Sequence, residues 1–150
     1  DLGIDLRYNY NKQDISNVAA GTIAPSYLFD FENQVPQNRG VLTFDYASGG
    51  IFGALLRVNY YDSWETTPGQ LGPPDASQVH AYGESLLVDV EARLKFADHF
   101  TVALGAENLF DEFPDEEQDP TSRFLGVNYA LTSPYGFNGG FYYLRLSADF

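Results

Sequence analysis

Hydrophobic and polar residues alternate along six separate segments of the chain. Successive side chains of a β-strand point to opposite faces, so this alternation predicts strands with one apolar and one polar face. The apolar faces consist of Leu2, Ile4, Leu6, Tyr8 and Tyr10; Leu42, Phe44 and Tyr46; Phe52, Ala54, Leu56, Val58 and Tyr60; Leu86, Val88, Val90, Ala92, Leu94 and Phe96; Phe100, Val102, Leu104 and Ala106; and Tyr142, Leu144, Leu146, Ala148 and Phe150. The residues between them are mainly charged, polar or small, and Leu55 is the exception in the third segment. The sequence therefore predicts an all-β fold of about six strands.

The connections between the predicted strands are alternately long and short. Ser48-Gly49-Gly50 and Ala97-Asp98-His99 are tight hairpin links. Residues 13–38, 62–84 and 111–140 form long connections rich in Pro, Gly, Asn, Asp and Gln. Loops of this length are uncommon within compact domains, whereas short turns at one end and long loops at the other are typical of outer-membrane barrels. The pattern favours an antiparallel, up-and-down transmembrane β-barrel.

Strand length and aromatic placement agree with this interpretation. About ten residues at roughly 3.3 Å each, tilted by about 40°, cover roughly 25 Å along the membrane normal. Aromatic residues collect near both predicted strand ends, namely Tyr10, Tyr60, Tyr61, Trp64, Phe110 and Tyr142 towards the long loops, and Tyr46, Phe52, Phe96, Phe100 and Phe150 towards the short turns. Barrels carry aromatic girdles at both interfaces, although aromatic residues also favour strands of any kind.

Composition excludes several other classes. No stretch approaches the roughly 18 consecutive apolar residues of a membrane helix, so a helical membrane protein is excluded. Eight basic against 21 acidic residues give a formal net charge of -13, which would repel nucleic acids. The chain has no Cys, so it forms no disulfide and no thiolate metal site.

The number of strands predicts an incomplete barrel. The strand-like pattern already begins at Asp1-Leu2-Gly3-Ile4, and the chain has no Met, so we expect a processed chain or a fragment. Six strands fall below the minimum of about eight for a single-chain outer-membrane barrel. An open sheet would leave two edges unpaired in hydrocarbon, which we expect the isolated chain to relieve by pairing with other chains, by aggregating or by binding detergent.

Two stretches near the end of the chain carry a family resemblance. They read GAENLFDEFP at residues 105–114 and SPYGFNGGFYYLRLSADF at residues 133–150. Both resemble the end of a TonB-dependent outer-membrane receptor, in which Asn-Leu-Phe-Asp follows the penultimate strand and Ser-Pro-aromatic-Gly leads into a final strand ending in Phe. The resemblance implies that residues 1–150 are the C-terminal part of a 22-stranded barrel in a bacterial outer membrane.

The same resemblance implies a function and a set of partners. The whole protein would take up a scarce nutrient, namely an iron chelate, a cobalamin or a carbohydrate, with energy supplied by TonB through an N-terminal part that this chain lacks. Its other partners would be outer-membrane lipid, the rest of the barrel, the plug domain and the barrel-assembly machinery. Phe150 would be the assembly signal or a membrane anchor. Neither enzyme activity nor a cofactor is implied.

Charged residues on the predicted polar faces form the first group of candidate site residues. They are Arg57, Asp89, Glu91, Arg93, Lys95, Glu107 and Arg145. In a barrel these side chains point into the lumen, where they could pair across strands or hold a plug. We expect mainly a structural charge network, because lumen charges are ordinary in this class.

Aromatic residues of the long loops form the second group, because binding residues concentrate on loops held by rigid scaffolds. The candidates for ligand contact are Tyr61, Trp64, Tyr82, Tyr135 and Phe137, followed by Tyr27, Phe29, Phe124 and Tyr129. An aromatic lining would suit an iron chelate, a cobalamin or a carbohydrate alike.

The remaining candidate chemistry is weak. The acidic residues Asp111, Glu112, Asp115, Glu116, Glu117 and Asp119 could bind a hard cation, but EF-hand spacing is absent and a solvated acidic loop is the safer interpretation. His80 and His99 are expected at opposite ends of the strands. Ser77, His80 and Asp75 share one Pro-rich loop without the rigid support that a hydrolase needs. We expect no metal site and no catalytic residues.

A soluble fold remains the alternative. In a small soluble β-barrel or sandwich that binds a ligand or partner, the same alternation would turn inwards. The apolar stripes over residues 86–96 and 142–150 would then form the core. The two hypotheses differ in which face of each strand is covered.

Overall fold

The computed structural model describes residues 1–19, 21–68, 78–97 and 99–149. The elements in chain order are β1 (Leu2–Tyr10), α1 (Pro25–Asn33), β2 (Asn38–Ser48), β3 (Phe52–Tyr61), β4 (Trp64–Thr66), β5 (His80–Tyr82), β6 (Ser85–Phe96), β7 (Phe100–Glu107), α2 (Pro120–Phe124) and β8 (Phe141–Ala148). Asp75, Ser77, Asp98 and Phe150 were named above and lie outside the described residues.

Six strands form one sheet in the order β1-β2-β3-β6-β7-β8, and every neighbouring pair is antiparallel. The predicted antiparallel, all-β architecture is therefore confirmed. Within the described residues β1 and β8 each pair on one side only, so this sheet is open. The short strands β4 and β5 pair with each other beside the sheet.

Strand register places all even-numbered strand residues on one face. Leu6 pairs with Leu42, and Val58 pairs with Val88, so apolar positions meet apolar positions from strand to strand. The result is an apolar even-numbered face and a mixed, charged odd-numbered face.

On the interior strands β6 and β7, the even-numbered face is more exposed than the odd-numbered face, which is the opposite of a soluble sheet. Leu86 and Leu104, both on the even-numbered face, are 58% and 64% exposed. On the odd-numbered face Glu91 is 9% exposed and Ala103 is 1% exposed. A soluble sandwich buries its apolar face, whereas in this sheet the apolar face is uncovered.

The turn between β2 and β3 follows from its glycines. Gly49 and Gly50 both have positive φ, at 54° and 81°, and the N–H of Ile51 donates to the carbonyl of Ser48 at 3.1 Å. Type I′ turns need positive φ at both central residues and match the twist of the flanking strands. The predicted tight hairpin is confirmed at this end of the sheet.

The long connections contain structure that the alternation pattern did not predict. The helix α1 lies in the first connection, the β4–β5 pair in the second and α2 in the third. Strand β2 also begins at Asn38, four residues before the first predicted apolar position, Leu42. Neither helix is long and apolar enough to cross a membrane, which holds for the described part of the chain.

Candidate functional site

Glu91 on β6 lies at the centre of an ion-pair network on the odd-numbered face. Its carboxylate accepts hydrogen bonds from Arg145 Nη2 at 2.9 and 3.0 Å and from the Tyr143 hydroxyl at 2.7 Å, both on β8. Arg93 Nε lies 3.7 Å from Glu91, and Arg93 Nη2 lies 2.6 Å from a carboxylate oxygen of Asp45 on β2. The network therefore joins three strands that are not neighbours in the sheet.

Glycines on the intervening strands make this network possible. Gly105 on β7 lies between Glu91 and Tyr143 in the register, and a Cβ there would overlap the Tyr143 ring. Gly53 on β3 is the partner of Arg93, and a Cβ there would lie 3.0 Å from Arg93 Nε. At these two positions a long side chain lies flat across a strand where that strand has no side chain of its own.

The structure brings together some of the predicted network residues and not others. Glu91, Arg93 and Arg145 are in contact, and Asp89 accepts hydrogen bonds from Asn59 Nδ2 and the Asn108 N–H, each at 2.9 Å. Lys95, Glu107 and Arg57 make no ion pair with another described residue. Asp45 and Tyr143 were not predicted as members, because the pairing register that brings them within reach of Arg93 and Glu91 is not visible in the sequence.

The Asn-Leu-Phe-Asp segment forms the corner after β7. The side-chain amide of Asn108 donates to the Glu112 carbonyl at 2.7 Å and accepts from the Glu112 N–H at 3.0 Å. Asn108 and Asp111 have φ values of 50° and 57°, a region that Asn and Asp tolerate better than most residues. Asp111 also accepts a hydrogen bond from the Gly140 N–H at 2.7 Å. The corner is therefore fastened to the start of β8.

Gly139 and Gly140 fit closely against this corner. A Cβ on Gly139 would collide with Asp111 and Phe113, and a Cβ on Gly140 would lie 2.9 Å from the carbonyl of Asn108. Gly139 in addition has a φ of 68°. The two segments on which the family resemblance depends are thus in direct contact, and the close fit explains the glycines at positions 139 and 140.

Four of the five predicted loop aromatics assemble into a small loop core. Trp64 and Tyr82 stack with their ring centroids 5.3 Å apart, and Tyr135 packs edge-on against Trp64 at 6.5 Å. Tyr61 lies 5.1 Å from Tyr135. The indole N–H of Trp64 donates to Thr132 Oγ1 at 3.2 Å. Side chains from β3, β4, β5 and the loop before β8 are held together in this way.

Burial decides which of these rings a ligand can reach. Trp64 and Tyr82 are each 2% exposed, so a ligand would contact them only if the loops moved. Burial raises the pKa of Tyr135, and burial together with the carboxylate of Glu117 raises the pKa of Tyr82. The fifth candidate, Phe137, is half-exposed and does not join this cluster.

Carboxylates of the acidic loop accept hydrogen bonds from other groups of the protein. Asp115 accepts a hydrogen bond from the Gly83 N–H at 2.6 Å, Glu117 accepts from the Tyr82 hydroxyl at 3.2 Å, and Asp119 caps α2 through the Ser122 N–H at 2.7 Å. The expectation of a solvated loop is wrong for Glu117, which is 9% exposed. The described residues contain no group of three or more His, Cys, Asp or Glu that could hold a metal.

The two histidines lie apart, as predicted. His80 Nδ1 in β5 is 3.8 Å from Glu117, whereas His99 in the short turn before β7 contacts the carbonyl of Asp149 at 3.0 Å. They share no site.

A concave space of about 450 Å³ lies on the odd-numbered face beside the loop core. Its walls include Tyr61, Tyr135 and Phe141, together with Asp89, Glu107 and Glu112. Fold and site define an antiparallel β-protein with an open apolar face, a charged face tied by ion pairs and a loop core at one end. Comparison with protein-family models, curated proteins and solved structures finds no match to this chain.

Proposed function

We propose that this chain is the C-terminal barrel segment of a receptor in a bacterial outer membrane that takes up a scarce nutrient with energy supplied through TonB. The observation that carries the proposal is the uncovered even-numbered face of the sheet, on which large apolar side chains are exposed. In a transmembrane barrel that face meets lipid, while the face with Glu91 and Arg145 meets the lumen.

The energetics of the even-numbered face support a lipid environment. Fully burying one Leu or Phe side chain contributes about 1.5–3 kcal/mol relative to leaving it in water. Leu104, Leu144 and Leu146 are each at least 64% exposed, so this sheet leaves much apolar area to be covered. A soluble binding module would cover it with a second layer, and no described helix or strand packs there.

The two ends and two edges of the sheet support the same proposal. Short turns join β2 to β3 and β6 to β7, and the long connections with the loop core lie at the opposite end. The open edges of β1 and β8 would each leave backbone groups unpaired, which in hydrocarbon costs several kcal/mol per group. We therefore propose that further strands close the barrel, to 22 in all by the resemblance.

The contact between the two resembling segments gives further support. Asn108 and Asp111 fasten the corner after β7, and Gly139 and Gly140 provide the space that it needs. A shared structural role explains why both segments occur together near the end of such a chain. The assembly role of Phe150 belongs to the proposal, as do the plug domain, TonB and the barrel-assembly machinery as partners.

Surface labelling in cells tests location and orientation. Phe124 in the third long connection is 89% exposed and Ile51 in a short turn is 66% exposed, and the 150 residues contain no Cys. Phe124→Cys should react with a membrane-impermeant maleimide in intact Gram-negative cells, whereas Ile51→Cys should react only after lysis. Equal labelling of both positions in intact cells, or recovery of the protein in a soluble fraction, would contradict the proposal.

Uptake assays test the transport part. Cells of the native host with and without the gene would be supplied with a labelled ferric chelate, cobalamin or oligosaccharide. We expect accumulation of one of them to depend on the gene and to stop with a protonophore, while surface binding persists. Uptake that is independent of the gene for every nutrient would refute this role.

A further inference from the structure

The concave space beside the loop core has the size of a small-ligand site. Its volume of about 450 Å³ lies within the typical range of roughly 300–1,000 Å³. It lies on the face of the sheet that carries the ion pairs, between the ends of β3, β6 and β7 and the start of β8. A ligand entering the proposed lumen from the loops would meet it.

One wall of this cavity is aromatic. The ring centroids of Tyr61 and Tyr135 are 5.1 Å apart, and the two ring planes are tilted by 42°. Ser85 Oγ and the Tyr135 hydroxyl lie 2.7 Å apart, which fixes the orientation of the Tyr135 ring. Phe141 also contributes to the lining and is 61% exposed. Aromatic faces carry negative quadrupole potential and attract cations, most strongly where water is partly excluded.

Uncompensated carboxylates complete the lining. Asp89, Glu107 and Glu112 contribute to it, and no Lys, Arg or His does so among the described residues. Asp89 is hydrogen-bonded only to amide groups in the described structure, and Glu107 and Glu112 make no ion pair there. The guanidinium of Arg39 contacts the Tyr61 ring at 4.9 Å and is not part of the lining.

We propose that this cavity binds an organic cation, a ligand with a protonated amine, guanidinium or quaternary ammonium group. The exposed ring of Phe141 and the ring of Tyr135 receive the cation and its apolar body, and the carboxylates attract it at longer range. Tyr61, which is 7% exposed and already contacts Arg39, supports the Tyr135 ring from behind. The inference rests on the proposed function, since it takes this face to be the lumen. It narrows the nutrient to one with a positively charged group, because a cavity with three carboxylates repels anionic chelates.

Choline is a suitable probe, because it is hydrophilic and carries a permanent positive charge. Binding would be measured by equilibrium dialysis against the full-length protein in lipid nanodiscs. Replacing Glu107 and Glu112 by Gln in one double variant should weaken binding about tenfold, and added salt should weaken binding to the unaltered protein. Phe141→Leu should weaken it severalfold through the lost ring. Glu65→Gln, an exposed carboxylate of β4 outside this lining, should leave it unchanged.

The possible outcomes separate the two proposals. Choline binding that is absent, or that does not respond to the Glu107 and Glu112 double variant, would overturn the cation site. Binding of maltose or citrate in place of choline, weakened by Phe141→Leu, would also overturn it and would leave the uptake function standing. Failure of the proposed outer-membrane location is detected separately, by equal labelling of Phe124→Cys and Ile51→Cys in intact cells. That result does not depend on this cavity.

Discussion

Small residues decide which charged side chains can meet on this sheet. Tyr143 reaches Glu91 only by crossing β7 at Gly105, and Arg93 reaches Asp45 by crossing β3 at Gly53. A larger residue at either crossing point would occupy the space of the crossing side chain. The glycines are therefore part of the ion-pair network although they carry no charge.

Replacing Gly105 by Ala tests this dependence. The new methyl group would push the Tyr143 ring away and break its hydrogen bond to Glu91, so we expect a loss of about 1–3 kcal/mol in the free energy of unfolding. Gly3→Ala is the matched control, since the nearest atom to a Cβ there is 3.7 Å away. It should be neutral or stabilise by up to about 1 kcal/mol. Urea unfolding in lipid vesicles measures both, and equal effects would contradict the account.

The buried carboxylate of Glu91 should matter more than an exposed one. Its side chain is 8% exposed, and Glu91→Gln removes the charge that Arg145 and Tyr143 bind, at a cost of about 1–3 kcal/mol. Asp5 pairs with Arg7 on the same face, where the two side chains are 52% and 78% exposed. Asp5→Asn should change the unfolding free energy by less than about 0.5 kcal/mol. A reversed order of the two effects would show that the network does not stabilise the sheet.

At the scale of the elements, the long strands could be predicted because each carries its own alternating pattern. Strands β3, β6 and β7 have the expected positions to within a residue. The sequence pattern places the start of β2 too late. Position 40 lies on the even-numbered face but is a glycine, so the apolar pattern first becomes visible at Leu42. Gly40 pairs with Tyr60 and has no side chain to signal its face.

The loop elements could not be predicted for two physical reasons. Helix α1 is nine residues long and has no side-chain cap, and β4 and β5 have three residues each, too few to show a period. Their stability comes from contacts between distant parts of the chain. Examples are the hydrogen bond from the Trp64 indole to Thr132 and the two hydrogen bonds from Thr67 to the Asp30 carboxylate. Aromatic residues identified the candidate site, but only the structure shows that Tyr61 and Tyr135 line the cavity whereas Trp64 and Tyr82 do not.

The loop core should loosen at high pH. Unfolded Tyr loses its proton near pH 10, while burial and Glu117 raise the pKa of Tyr82 in the folded state. Above about pH 10 the folded state therefore holds more protons than the unfolded state, and the stability of the loop core falls as pH rises. Trp64 is the only Trp in the 150 residues and stacks on Tyr82, so its emission reports this change.

The Tyr82→Phe variant is the control for this pH dependence. It retains a ring against Trp64 and lacks the ionisable hydroxyl, so the change in Trp64 emission should move to higher pH. The same emission profile in both proteins would mean that Tyr82 does not link pH to the loop core.

At the scale of the whole molecule, three features have one explanation in the proposed barrel. The open apolar face would meet lipid, the edges of β1 and β8 would meet further strands, and the loop core would cover one end of the charged face. In water the same sheet would leave both its apolar face and its edges uncovered. The central claim is therefore that the even-numbered face lies against lipid.

Spin labels at two adjacent residues of β3 test this claim most directly. Leu56 and Arg57 are exposed on opposite faces of an interior strand, and Arg57 makes no ion pair within the described structure, so its replacement leaves the network intact. In lipid vesicles a label at Leu56 should be relaxed by oxygen and not by a water-soluble nickel chelate, and a label at Arg57 should be relaxed by the chelate. A label at Leu56 that is shielded from both reagents, with the protein monodisperse in buffer without detergent, would contradict the account.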